Sequence, residues 1–280
     1  MGRIEGKVAL VTGAARGMGR SHAVRLAQEG ADIIAVDLCA DLDTVPYPGA
    51  TSQDLDLTTQ LVEQFDRRII ARQVDVRDSK SMQAVVDESI AELDHIDIVC
   101  ANAGIANFGF SWEISDEAWQ EVIDVNLTGA WKTAKAVIPH MIERGQGGSI
   151  IFISSVAGLI GVPTMAHYTA SKHGVVGLMR ALAVELARYY VRVNTVNPGN
   201  VDTPMVDNAP TRQLFMPDLR DPTREDAERI MKEMSALPVS WLDPREVSDA
   251  VLFLASDEAR HITGITLPVD AGMMIPNKLK

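Results

Sequence analysis

The run Lys7-Val-Ala-Leu-Val-Thr12-Gly13-Ala-Ala-Arg16-Gly17-Met18-Gly19 decides the fold. Residues 7–12 are a short apolar, β-branched run that reads as a buried strand. Gly13, Gly17 and Gly19 follow, and a helical pattern then continues to Glu29 and stops at Gly30. In that order, strand, glycine turn and helix form a loop whose backbone can approach a pyrophosphate and offer it the free N–H groups of a helix N-terminus. A second strand, residues 32–36, ends in Asp37. A carboxylate at that strand end can hydrogen-bond adenosine ribose hydroxyls and repels a 2′-phosphate.

Outward from this unit the pattern repeats. Strands are read at residues 69–76, 96–101, 149–154, 191–196 and 266–269, and helices at 57–65, 79–93, 119–142, 165–189 and 245–255. Alternation of this kind predicts a seven-stranded, doubly wound parallel sheet of Rossmann type in one domain spanning residues 1–280. Two stretches fall outside the alternation: an insertion at about 38–68, whose first part is polar and turn-rich, and a segment at about 203–241. Asp75 and Val76 end the third strand, where an adenine edge can lie. Asn102-Ala103-Gly104 closes the fourth with a turn that brings backbone close to a ligand. Asn126 falls inside an apolar helix, where it needs a partner or a kink. Ser155 stands at the carboxyl end of the fifth strand, the edge at which open parallel sheets bind ligands.

Tyr168 and Lys172, in the run Tyr168-Thr-Ala-Ser-Lys172, are four residues apart on a predicted helix and so share one face. A phenol with an ordinary pKa of about 10 is a poor base at neutral pH. Bringing it to about 7 takes roughly 4 kcal/mol of preferential stabilisation of the phenolate. A partly desolvated ammonium, helped by a bound cofactor's positive ring, can supply that.

Composition bounds the partners. The 280-residue chain is 46% hydrophobic and carries a formal net charge of −12, which argues against nucleic acid, an anionic membrane surface or an acidic carrier protein. The six histidines show no metal-ligand spacing, so no metal is expected, and His167 and His173 read as packing or surface residues. Cys39 and Cys100 read as buried free thiols of a reducing compartment. No apolar run is long enough to span a membrane or to serve as a signal peptide. The expected location is the cytoplasm.

By these motifs the chain resembles the compact branch of the short-chain dehydrogenase/reductase family over essentially its whole length. Thr12–Gly19 matches the family's cofactor loop, Asn102-Ala-Gly104 its strand-four motif and Asn126, Ser155, Tyr168 and Lys172 its catalytic tetrad. Asn197-Pro198-Gly199, with Val201 and Thr203 beyond it, matches the nicotinamide-side turn. The resemblance implies that Gly13, Arg16, Gly17, Met18, Gly19, Asp37, Leu38, Asp75, Val76, Asn102, Ala103, Gly104, Tyr168 and Lys172 also hold the cofactor. Tyr168 is then the acid/base toward the substrate oxygen, Ser155 orients that oxygen, and Lys172 lowers the Tyr168 pKa and binds ribose. Asn126 holds a water that leads to solvent.

Arg16 resembles the basic residue of NADP-preferring members and Asp37 the acid of NAD-preferring ones. Asp37 decides for NAD, because a carboxylate at ribose distance repels a phosphate of charge near −2. The insertion is similar to that of actinobacterial, carveol-dehydrogenase-like members coupled to the redox carrier mycofactocin, which implies retained NAD reoxidised in place.

Apolar residues at the same sheet edge (Phe108, Phe110, Trp112, Leu159, Met205, Leu214, Phe215 and Met216) suggest a pocket for a small hydrophobic alcohol or ketone. Two long helices that are apolar around much of their circumference point to an oligomer, and the resemblance implies a homotetramer. The competing functions are a 3-oxoacyl-carrier-protein reductase and a non-catalytic dinucleotide-binding scaffold. Asp37 and the acidic charge disfavour the first, and the complete tetrad the second.

Overall fold

The computed structural model describes residues 2–275. Among these, seven strands form one parallel sheet in the order β3-β2-β1-β4-β5-β6-β7. They are β1 (Val8–Thr12), β2 (Asp32–Asp37), β3 (Ile69–Gln73), β4 (Ile98–Ala101), β5 (Gly148–Ile153), β6 (Val191–Pro198) and β7 (Thr266–Val269). The order reverses direction between β1 and β4, so the crevice at that switch point opens at the carboxyl ends of both strands.

Alternation along each strand feeds two cores. Val8 and Leu10 of β1 point to one face with Ile34, Val36, Ile150 and Phe152. Helices α3 (Ser79–Leu93), α5 (Ala130–Arg144) and α6 (Ala166–Leu186) cover that face. Ala9, Val11, Ile33 and Ala35 point to the other face. It is covered by α1 (Gly17–Gln28), α2 (Ser52–Glu63) and α9 (Pro244–Ala255). Strands buried on both faces read as continuous apolar runs, as β1 and β2 do.

Several boundaries differ from the expectation. The predicted helix 119–142 is α4 (Asp116–Ile123) joined to α5 through a π-helical turn, Asp124–Gly129, that contains Asn126. Asn126 is 1% exposed, and burying its amide inside an apolar helix forces both the partner and the kink. Helix α2 begins at Ser52, not Leu57, because Thr51 and Asp54 form a reciprocal capping box. β3 stops at Gln73, leaving Asp75 and Val76 in the turn beyond it. The segment 203–241 is more regular than its prolines suggested. It contains α7 (Ala209–Phe215), which takes Pro210 in its first turn, and α8 (Arg224–Met234), capped by Thr223 and Asp226.

Candidate functional site

The glycine turn is sterically forced. Gly13 and Gly17 lie at φ +66° and +53°, where glycine is favoured, and a Cβ on Gly19 would lie 1.8 Å from the Gly13 carbonyl oxygen. No described side chain caps the start of α1, whereas α2, α3, α4, α8 and α9 all carry side-chain caps. The first N–H groups of α1 therefore face the cleft without a protein acceptor, a ready anion site. Asp37 accepts from the backbone N–H of Ala15 (2.9 Å) and of Cys39 (3.0 Å), which locks its carboxylate at the rim of the same cleft.

Gly13, Arg16, Gly17, Met18, Gly19, Asp37, Leu38, Asp75, Val76, Asn102, Ala103, Gly104 and Thr203 all line this cleft. Asn102 anchors itself to Thr12 through two donated bonds, and its Oδ1 is buried without a partner among the described residues. A buried lone acceptor in a cleft wall calls for a ligand donor. Pro198, Gly199 and Val201 are not in the lining. Pro198 closes β6, the Gly199 N–H donates to Val269, and Val201 bridges to Leu242. The uncapped turn, the ribose-side acid and this acceptor fit a dinucleotide.

Two of the four residues expected to carry chemistry lie behind Gly104, where a Cβ would be 3.3 Å from Asn126 Oδ1 and 3.4 Å from Lys172 Nζ. The Ser155 backbone is held by Asn197, whose Nδ2 donates to its carbonyl (2.8 Å), and Ser155 Oγ accepts from the Ala157 N–H (3.1 Å). The Ser155 hydroxyl also hydrogen-bonds the Tyr168 phenol. Lys172 Nζ lies 5.5 Å from the centre of the Tyr168 ring and donates to the Ile153 carbonyl (2.9 Å).

Electrostatics here differ from the simple expectation. Burial raises the Tyr168 pKa, and the Ser155 bond offsets that only in part. Burial also lowers the Lys172 ammonium to about 8. In a desolvated pair the protein itself penalises both charges, so a further positive charge is required to bring Tyr168 into use. Asn126 Oδ1 accepts from Ile105 N (2.8 Å), and its Nδ2 donates to Ile105 O (2.9 Å) and Ser171 Oγ (3.2 Å). Both Nδ2 protons are engaged, and Oδ1 keeps one acceptor site.

The insertion folds over the cleft, with Ala40, Leu42, Val45, Tyr47, Gly49 and Ala50 completing its lining. Arg16 donates to the carbonyls of Pro48 and Gly49. It neither pairs with Asp37 nor stands free for a 2′-phosphate. Sequence reasoning passed over Tyr47, Thr44 and Asn107. The available signal was one aromatic between two prolines, Pro46-Tyr47-Pro48, in an otherwise polar stretch. Of the apolar residues expected around a substrate, Met205 lines the cleft. Phe110 and Trp112 instead stack on each other (5.0 Å) and are 50% and 79% exposed. His167 is a buried packing residue and His173 lies at the surface.

Among the described residues, no group of three or more His, Cys, Asp or Glu side chains is arranged to hold a metal ion. No described helix is long and apolar enough to cross a membrane.

A family model described as short chain dehydrogenase matches residues 7–214. The chain is 52% identical over 273 residues to (−)-trans-carveol dehydrogenase of Rhodococcus erythropolis, covering 97% of this chain and 99% of that one. The crystal structure of carveol dehydrogenase from Mycobacterium avium in complex with NAD superimposes with a TM-score of 0.97 at 52% identity, covering 98% of this chain and 100% of that one. A short chain dehydrogenase from Mycobacterium paratuberculosis bound to NAD gives a TM-score of 0.88 at 46% identity, covering 97% and 99%.

Proposed function

The chain belongs to the short-chain dehydrogenase family, and from that membership we propose that it is an NAD-dependent oxidoreductase interconverting a small hydrophobic secondary alcohol and its ketone. Cyclic terpene alcohols of the carveol kind are the substrate class. The observation that carries this reading is that Ser155 bonds to the Tyr168 phenol and Lys172 stands beside the Tyr168 ring, with the Lys172 amine next to Gly104 in the cleft wall. NAD, when bound, supplies the hydride acceptor or donor and a positive nicotinamide ring.

The chain's own residues do the rest. Asp37 takes ribose hydroxyls, the uncapped start of α1 takes the pyrophosphate, and the Asp75–Val76 turn meets the adenine. The Asn102–Gly104 turn and Thr203 hold the nicotinamide side, backed by Pro198, Gly199 and Val201. Tyr168 Oη receives the proton of the alcohol hydroxyl, Ser155 Oγ orients that oxygen, and Lys172 stabilises the phenolate and donates to ribose. The π turn at Asn126 opens the proton path to solvent.

The insertion, latched by Arg16, retains the dinucleotide between turnovers. An external carrier of the mycofactocin kind reoxidises it in place. The assembly is a homotetramer in the cytoplasm. Val184 on α6, 80% exposed, and Trp131 on α5, 40% exposed, belong to the apolar surface that further copies cover.

Purified protein given a cyclic terpene alcohol and no added NAD tests the reading. The expected result is one equivalent of reduced nicotinamide, then sustained turnover only with an artificial dye. Tyr168→Phe should keep its NAD and lose at least about 10²-fold in rate, the lower end of acid–base catalysis. Protein that purifies empty and cycles rapidly on free NAD would remove the retention. Protein whose bound nicotinamide no alcohol reduces would remove the dehydrogenase reading.

A further inference from the structure

The insertion touches more than the cleft. Tyr47, 7% exposed, accepts through its phenol oxygen from the backbone N–H of Ala106 (3.1 Å). Three residues earlier, the Thr44 carbonyl accepts from Asn107 Nδ2 (3.2 Å), and the Thr44 hydroxyl donates to Glu121 on α4. Both contacts fall on the strip 105–107, which leaves the β4 turn toward the loop bearing Phe110 and Trp112.

The same strip is held from two further sides. Asn126 brackets Ile105 through its N–H and its carbonyl. Asn107 Oδ1 meets Nε2 of His167, the wholly buried neighbour of Tyr168. Because Asn107 spends its Nδ2 on Thr44, its Oδ1 accepts, and His167 carries its proton on Nε2. Beyond it, Gly109 N donates to the Thr164 carbonyl (2.9 Å), just before α6. A continuous chain of bonds thus runs from the insertion through Ala106 and Asn107 to the first turn of α6. Tyr47 also lies close enough to Tyr168 that charge on one phenol opposes charge on the other.

We propose that Tyr47 is a positioning residue that couples closure of the insertion over the dinucleotide to assembly of the substrate pocket, by fixing the strip 105–107 against the helix that carries Tyr168. The proposal rests on the dehydrogenase reading above. With the insertion closed, Ala106 and Asn107 form a fixed wall beside Tyr168. With the Tyr47 contact broken, the wall loosens while the dinucleotide remains held by Arg16 and Asp37. Tyr47 therefore acts on alcohol binding and leaves the hydride step alone.

The test is Tyr47→Phe, which keeps the ring and removes the acceptor of a buried N–H. Single-turnover reduction of the bound nicotinamide is followed while a cyclic terpene alcohol is titrated, with amide hydrogen exchange of residues 105–109 measured in parallel. The expected result is an apparent alcohol affinity weakened about tenfold, as for one lost bond to a buried donor. The rate at saturating alcohol should stay within about twofold of wild type, with faster exchange at 105–109. A purely structural role would not split affinity from rate in this way. Wild type that turns over beside a variant of unchanged alcohol affinity would overturn the coupling alone. Wild type whose bound nicotinamide no alcohol reduces would overturn the dehydrogenase reading as well.

Discussion

At the scale of single residues, the site sets burial against charge. Tyr168 is pushed above its ordinary value by burial, and the Ser155 hydroxyl pulls it back. In the role proposed for Tyr168, oxidation of an alcohol needs the phenolate, so the rate should rise with pH through the Tyr168 pKa. Ser155→Ala removes the group that lowers that pKa, so the rising limb should move to higher pH. One charge-assisted hydrogen bond is worth about 1.5 kcal/mol or more, which corresponds to about one pH unit. A pH–rate profile of hydride transfer with bound cofactor checks it, and a profile that stays in place would show that Ser155 does not act on Tyr168. Lys172 enters the same balance. At about 8 its pKa lies low enough for the folded protein to hold some neutral amine near physiological pH. Burial penalises the charge of this lysine, although its amine donates to the Ile153 carbonyl. Its presence is explained by what it does to its neighbours.

Elements, not single groups, close the cleft. The insertion has little regular structure before α2 and is held by contacts both within it and from outside it. Arg16 holds the carbonyls of Pro48 and Gly49, Asp41 accepts from Gly49 N (2.6 Å), and Tyr47 reaches Ala106. Pro46 and Pro48 restrict the open form and reduce the entropy lost on closing. Arg16→Ala removes the guanidinium latch while leaving Asp37 in place. Two bonds to a charged donor, at about 1.5–3 kcal/mol in all, predict bound NAD released roughly tenfold to a hundredfold faster, with NAD still preferred over NADP. A chase of labelled NAD from the loaded protein measures this. An unchanged release rate would assign retention to some other contact.

For the whole molecule, stability depends on the layer of helices that covers the α1 face of the sheet. His22 on α1 is buried, and its Nδ1 meets Ser248 Oγ of α9 at 2.8 Å. Its Nε2 has no partner among the described residues, and burial lowers its pKa to about 3. The unfolded chain takes up this proton as pH falls below about 6.5, whereas the folded chain does so only near 3. Stability is therefore lost as pH falls across that window. Between pH 6.5 and 4.5 the loss from this group is roughly 2–3 kcal/mol. Denaturant midpoints of wild type and His22→Asn at pH 7 and 4.5 test it, with the variant expected to lose less on acidification. One wholly buried aliphatic residue of the size of Leu26 or Ile33 contributes about 1.5–3 kcal/mol. A few such residues on this face offset the histidine at neutral pH, and acid removes the margin.

Local chemistry made most of the fold and much of the lining of the cleft legible in the sequence. Glycines that no other residue can replace, apolar runs of strand length and an acid at a strand end each carry their meaning within a few residues, because steric and hydrophobic constraints act at that range. The 79–93 helix and the 266–269 strand appear in the structure with those same limits. Contacts between residues distant in sequence were decided only by tertiary structure. Asn126 was legible as a buried polar group, but that its amide would be engaged by Ile105 and Ser171 follows from how the β4 turn packs on the π turn. Arg16 looked like a phosphate ligand until the carbonyls of Pro48 and Gly49 took its guanidinium. Tyr47 carried almost no signal, since its hydrogen bond crosses from residue 47 to residue 106. Spacing encodes which face of an element a side chain takes. Which distant backbone group that side chain meets depends on how the loops pack once the sheet has formed.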